Sequence, residues 1–158
     1  MLGLSESLKV GDYAPNFVAD SIQGRIKLSD LKGKNIVLYF YPKDDTPGCT
    51  IEAQDFNNRL KEFAKHDCII IGVSKDNTNS HKKFIEKYSL KFDLLADIST
   101  EICQSYNVLK EKSMFGKKYL GIDRSTFLID KIGKITKIWT TVKVKGHVDE
   151  VLSELKKI

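Results

Sequence analysis

Hydrophobic positions along this chain follow two periods, and the changes of period mark its elements. Residues 36–41 (IVLYFY) and 68–73 (CIIIGV) are continuous apolar runs rich in β-branched and aromatic residues. That is the pattern of strands buried on both faces. After the first run the period becomes helical: Ala53, Phe56, Leu60 and Phe63 form one stripe and predict a helix over 47–64. Phe84 and Tyr88 share a face of a helix over 79–88, a short helix covers 99–106 with Ser99 as its cap, and a last amphipathic helix covers 147–156. Short strands are expected at 16–20 and 25–28 around a turn at 21–24, followed by a helical turn at 29–33 that ends in glycine. Residues 94–95 form a short apolar element, and strands at 125–129 and 135–142 are joined by a turn at 130–133.

The order is strand–helix–strand–helix, then a hairpin and a helix. It predicts an α/β fold with a mixed central sheet flanked by helices on both faces. No repeat, low-complexity stretch or linker interrupts the 158 residues, so a single domain over 1–158 is expected.

Composition narrows the partners. The formal net charge is +5, but the basic residues are overwhelmingly lysines interleaved with acids, without aromatic interleaving or a nucleic-acid motif. A solvated lysine-rich surface is the expected reading, with no nucleic-acid partner. No apolar run of about 18 residues exists to span a membrane. Residues 1–9 lack the basic start and long apolar core of a signal peptide. Three widely spaced cysteines do not make a disulfide framework, which points to a reducing, cytoplasmic setting. Arg25, Arg59 and Arg124 stand out against the lysines, because a planar guanidinium fork invites the question of what it binds.

The chemistry gathers in residues 42–50 (PKDDTPGCT). Thr46 can cap a helix through its hydroxyl, and Pro47 suits the first helical position. Cys49 then falls in the first turn, where unpaired N–H groups and the helix dipole favour an anion, and the thiolate is the reactive form of cysteine. The size of the effect matters. Taking a thiol from its ordinary ~8.5 to about 6 requires roughly 3 kcal/mol. A helix end contributes ~0.3–1 kcal/mol, or up to ~2 when partly buried. A nearby cation is therefore wanted. Arg124, which opens the strand at 125–129, is the candidate, with Glu52 one turn after Cys49 to orient it. The pattern alone leaves Arg124 equally readable as a surface residue at a strand start.

Pro42, Thr46, Cys49 and Glu52 in this arrangement resemble the active-site motif of the peroxiredoxins. The TPGCT form, the later RSTFLID at 124–130 and the opening VGDYAPNF at 10–17 are similar to the bacterioferritin comigratory protein or PrxQ branch, nearly end to end. The resemblance implies a thioredoxin-like fold and reduction of hydrogen peroxide or organic hydroperoxides, with no metal or cofactor. It implies Cys49 as peroxidatic nucleophile and sulfenic acid carrier, Thr46 as hydrogen-bond partner of the peroxide, and Arg124 as stabiliser of thiolate and leaving oxygen. Pro42 would shield the pocket, and the N–H groups of Gly48 and Cys49 would add fixed dipoles. Thioredoxin or another small thiol would recycle the enzyme, which is expected to be a monomer or weak homodimer.

The chain departs from that branch where a resolving cysteine is often found: the position five residues after Cys49 is Gln54, and none stands near Phe84 and Ile85. Cys68 lies some ~16 Å along its strand from the site edge, beyond the α-carbon spacing of a disulfide, and reads as core. Cys103 also reads as packing. A one-cysteine cycle with an external thiol is expected, the alternative being Cys103 as resolving residue after local unfolding. His66, His81 and His147 are scattered, read as solvated or capping residues, and form no metal set with the cysteines. Asp44 and Asp45 read as solvated loop residues, and Trp139 as packing. A disulfide oxidoreductase would need a C-x-x-C that residues 49–52 lack. A non-enzymatic redox or chaperone-like binding module is the remaining competitor.

Overall fold

The computed structural model describes residues 7–158, so residues 1–6 of the segment read for a signal peptide lie outside it. In chain order the strands are β1 (Val18–Ser21), β2 (Gly24–Lys27), β3 (Asn35–Phe40), β4 (Cys68–Ser74), β5 (Asp93–Ala96), β6 (Leu109–Met114), β7 (Lys117–Ile122), β8 (Ser125–Ile129) and β9 (Ile135–Trp139). The helices are α1 (Pro47–Asn58), α2 (Leu60–Ala64), α3 (Thr78–Tyr88), α4 (Glu101–Ser105) and α5 (His147–Leu155), with a 3-10 turn at Leu28–Leu31. Seven strands form one mixed sheet in the order β2-β1-β5-β4-β3-β8-β9, with β3, β4 and β5 parallel and the others antiparallel to their neighbours. This is the mixed α/β architecture expected.

The alternation of β3 divides the core. Val37 and Tyr39, continued by Tyr41, face a layer built from Phe56 of α1, Phe63 of α2, Phe84 of α3 and Val148, Val151, Leu152 and Leu155 of α5. Ile36, Leu38 and Phe40 face the other layer, with Ile102 and Cys103 of α4, Tyr106, Phe127 and Leu28. Phe56 stacks on Tyr39 with ring centroids 4.7 Å apart. Burying a side chain of this size stabilises the fold by about 2–3 kcal/mol.

Several expectations are corrected. The single helix over 47–64 is two helices, because the chain leaves helical geometry at Arg59 (φ −109°, ψ 6°). Asn57 and Asn58 are poor helix formers, and the Asn57 side chain instead pins the segment after α3, donating to Ser89 O at 3.1 Å and accepting from Lys91 N at 2.8 Å. At α4, Ser99 Oγ accepts only the amide of Glu101, at 3.4 Å, while the Asp97 carboxylate accepts the amides of Ile102 and Cys103, at 3.1 and 2.8 Å. The strand expected over 135–142 ends at Trp139. The β6–β7 hairpin was not foreseen. Its two turn residues, Phe115 (φ 52°) and Gly116 (φ 78°), are both left-handed, and a phenylalanine there hides the turn signal that Asn-Gly or Asp-Gly would give.

The topology sets the site. Parallel β3 and β4 end together, Phe40 beside Val73. Because β8 runs antiparallel to β3, its first residue Ser125 pairs with the last residue of β3, Phe40. The start of α1 and the start of β8 therefore meet at one sheet edge. Among the described residues no helix is long and apolar enough to cross a membrane.

Candidate active site

Pro47 opens α1 and Thr46 precedes it in extended conformation (φ −98°, ψ 157°), with Thr50 N donating to Thr46 O at 2.8 Å. The expected hydroxyl cap is absent. Thr46 Oγ1 instead donates to Lys43 O at 2.8 Å, so the hydroxyl ties the loop to itself and keeps its lone pairs for another donor. Gly48 and Cys49 are first-turn residues, whose amides have no partner within the helix. Cys49 is 2 % exposed, while Pro42, Thr46 and Gly48 around it are half-buried.

Arg124 reaches this turn across the sheet edge. Its Nη2 donates to Cys49 Sγ at 3.4 Å and its Nη1 to Glu52 Oε1 at 2.7 Å. The surface alternative for Arg124 does not describe this chain, whose guanidinium-bearing side chain is 16 % exposed against a fully buried Glu52. The backbone is fixed too: Val142 N donates to Arg124 O at 2.9 Å, and Asp123 accepts from Thr141 N and its hydroxyl, both at 3.2 Å, and pairs with Lys110 at 3.0 Å. Gly48 leaves room for this approach, since a Cβ there would lie 3.2 Å from Arg124 Nη2 and press on the guanidinium.

The electrostatics follow from burial. Burial pushes Glu52 up to about 7, against the charge and hydrogen bond of Arg124, which pull it down. Burial works against the Arg124 charge as well, but Glu52 and Cys49 outweigh it and hold the guanidinium above its ordinary value. Glu52 Oε2 and the Tyr39 hydroxyl are buried without a partner among the described residues.

The remaining cysteines are remote from this chemistry. Cys68 opens β4 beside Asn35, at the opposite end of the strands, and burial pushes its thiol up to about 12. Cys103 has no exposed surface. Burial, with Asp97 adding to it, holds its thiol well above the usual thiol range. Both thiols are free, as is Cys49.

Two histidines and one aspartate differ from expectation. His81 and His147 are 0 % and 4 % exposed rather than solvated, and Asp44 is 7 % exposed rather than a solvated loop residue. His147 Nε2 meets Thr126 Oγ1 at 2.8 Å, and burial drops its ring to about 4, leaving it neutral at pH 7. Asp44, Asp76 and His81 bring three potential ligand atoms within 4.8 Å of one another, but these atoms already hydrogen-bond internally: His81 Nδ1 to Asp44 at 2.7 Å, Asp76 to Asp44 N at 2.9 Å and to Ser74 Oγ at 2.7 Å. The one sequence signal for this cluster was Asp44 beside the motif, and its partners lie on other elements. Asp45 is exposed as expected, yet bound to Lys87 and Tyr88 at 2.8 and 2.7 Å. Trp139 packs against the core from its edge and donates to Glu150 at 3.0 Å.

Known proteins resemble the chain over most of its length. The AhpC/TSA family model matches residues 10–138. Peroxiredoxin Bcp of Bacillus subtilis (strain 168) is 52% identical over 151 residues, covering 95% of this chain and 96% of its own. Peroxiredoxin Bcp of Escherichia coli (strain K12) is 40% identical over 150 residues, covering 94% and 96%. Among solved structures, Xanthomonas campestris peroxiredoxin Q superposes with a TM-score of 0.86 at 44% identity, covering 89% of this chain and 90% of its own. A cysteine mutant of Xylella fastidiosa PrxQ superposes with a TM-score of 0.90 at 38% identity, covering 96% and 98%.

Proposed function

The chain belongs to the AhpC/TSA family, in its peroxiredoxin Bcp or PrxQ branch, and from that premise we propose a thiol peroxidase in which Cys49 alone carries the oxygen. The observation behind this reading is the fork of Arg124, with one arm on Cys49 Sγ at 3.4 Å and the other on Glu52 at 2.7 Å. A guanidinium so held cannot lose its proton and faces both the sulfur and the space where an oxygen would leave.

In the first step the Cys49 thiolate attacks the terminal oxygen of a hydroperoxide. An S–O bond forms, the O–O bond breaks, and the electron pair leaves on the alkoxide or hydroxide, which takes a proton to become alcohol or water. Arg124 and the amides of Gly48 and Cys49 stabilise the charge as it moves to that oxygen. The Thr46 hydroxyl, its proton engaged with Lys43 O, accepts the hydrogen bond of the peroxide, and Pro42 limits water at the mouth. The sulfur ends as sulfenic acid.

In the second step an external thiol condenses with that sulfenic acid, releasing water and forming a mixed disulfide, and a second thiol frees Cys49. A dithiol protein such as thioredoxin supplies both, in the reducing setting of the cytoplasm. The Cys103 alternative would require α4 to open and Asp97 to release two amides, and nothing favours it. Substrates include organic hydroperoxides, consistent with the alkyl peroxide reduction activity ascribed to the Xanthomonas campestris bacterioferritin comigratory protein.

Peroxide consumption supported by dithiothreitol or reduced thioredoxin, lost in Cys49→Ser, is the expected result. Turnover surviving in Cys49→Ser would overturn the assignment.

A further inference from the structure

Cys49 depends on a loop that starts from the end of β3, turns through Pro42–Asp45 and enters α1. At Asp45 this loop takes a positive φ of 56°, a turn that Asp tolerates better than most residues with a side chain. The bonds that hold the loop converge on Asp44, next in sequence.

Asp44 Oδ1 accepts from the Tyr41 hydroxyl at 2.6 Å, and Oδ2 accepts from Ser80 Oγ at 2.8 Å and meets His81 Nδ1 at 2.7 Å. The amide of Asp44 donates to Asp76 Oδ2 at 2.9 Å. His81 Nε2 lies 3.0 Å from Leu95 O. A carbonyl only accepts, so Nε2 carries a proton, and Nδ1 faces a carboxylate already accepting two hydroxyls. His81 is thus held at both ring nitrogens, between β5 and the Asp44 carboxylate. The pair is almost sealed from water, with His81 at 0 % and Asp44 at 7 % exposure. A buried carboxylate stripped of such a partner would carry a large uncompensated desolvation cost.

We propose that Asp44 and His81 are a positioning pair for Cys49. His81, anchored on α3 and β5, fixes Asp44, and Asp44 fixes the loop that presents Gly48 and Cys49 to Arg124. The clearance at that end is small, because a single added carbon on Gly48 would stand 3.2 Å from the guanidinium. A loop released by a few tenths of an ångström thus loses the Arg124–Cys49 alignment. Asp45 adds a second tether on the same helix through Lys87 and Tyr88. This inference rests on Cys49 being the peroxidatic residue.

The test uses the full chain and two readouts: the second-order rate of Cys49 oxidation by hydrogen peroxide in stopped flow, and the pH profile of Cys49 alkylation by iodoacetamide. His81→Ala should slow oxidation about tenfold or more, the scale of a displaced reacting group, and move the alkylation profile. His81→Asn, which restores an N–H toward Asp44, should recover part of the rate. Leu155→Ala, a buried truncation at the far end of α5, should lower the melting temperature without changing either readout. If His81→Ala does not fold, Ser80→Ala removes one donor to Asp44 and should slow oxidation about threefold or more. Oxidation within about twofold of wild type in whichever of these two variants folds would overturn the proposal, as would an equal loss in Leu155→Ala. A wild-type Cys49 that peroxide leaves unoxidised would instead defeat the underlying assignment.

Discussion

Arg124 donates Nη2–H to Cys49 Sγ at 3.4 Å across a sequence separation of 75 residues, while its other arm is held on buried Glu52 at 2.7 Å. A lysine supplies the charge but not the fork, and cannot occupy both positions at once. Arg124→Lys is therefore expected to slow Cys49 oxidation by about 100-fold or more while leaving the circular dichroism spectrum unchanged. Stopped-flow rates with hydrogen peroxide check this, and a lysine variant as fast as wild type would count against the fork.

Gly48 separates activity from stability. Alanine is a better helix former by about 0.5–1 kcal/mol, and Gly48 carries no positive φ that would forbid a side chain. Its Cβ would stand 3.2 Å from Arg124 Nη2 and 3.9 Å from Cζ, so the guanidinium must give way. Gly48→Ala should unfold no earlier than wild type in urea yet oxidise about tenfold more slowly.

Glu52 and His147 give stability opposite dependences on pH. Burial raises Glu52 from an ordinary 4.5 to about 7. The folded chain keeps that proton where the unfolded chain has lost it. Its contribution is fully present below pH 4.5 and is lost as pH rises through about 7, a cost of about 3 kcal/mol at most. Burial lowers His147 from 6.5 to about 4, so the unfolded chain binds the proton first and stability rises with pH across that interval. Glu52→Gln should therefore unmask a rise of unfolding free energy between pH 4.5 and 6.5, which Glu52 offsets in the wild type, and remove the decline from 6.5 towards pH 7. Urea titrations of both proteins check it; parallel curves would refute the sign.

Cys68→Ser and Cys103→Ser should leave thioredoxin-supported turnover within about twofold of wild type. Both thiols are buried and held in the protonated form, which is the unreactive one.

The strands and the thiol were legible because their signals are local. The 36–41 run and the Pro47–Cys49 helix start carry their meaning in adjacent residues, and Arg124 was reached only by asking what cation a thiolate would need. Asp44 and His81 were misread for the opposite reason. They lie 37 residues apart, on a loop and a helix whose meeting is decided by β3 and β4 ending together. A lone Asp in a polar loop carries no mark of burial. The break at Arg59 follows two asparagines with no Gly or Pro to mark it, and in the Phe115–Gly116 turn a phenylalanine stands where Asn or Asp would give the signal.

Mass spectrometry of the protein after one equivalent of hydrogen peroxide tests the central claim most directly. A Cys49 that alone carries the oxygen gives a chain heavier by one oxygen, trapped on Cys49 by a sulfenic acid reagent, with Cys68 and Cys103 still free thiols. A chain lighter by two hydrogens, with Cys49 linked to Cys103 or Cys68, would contradict it.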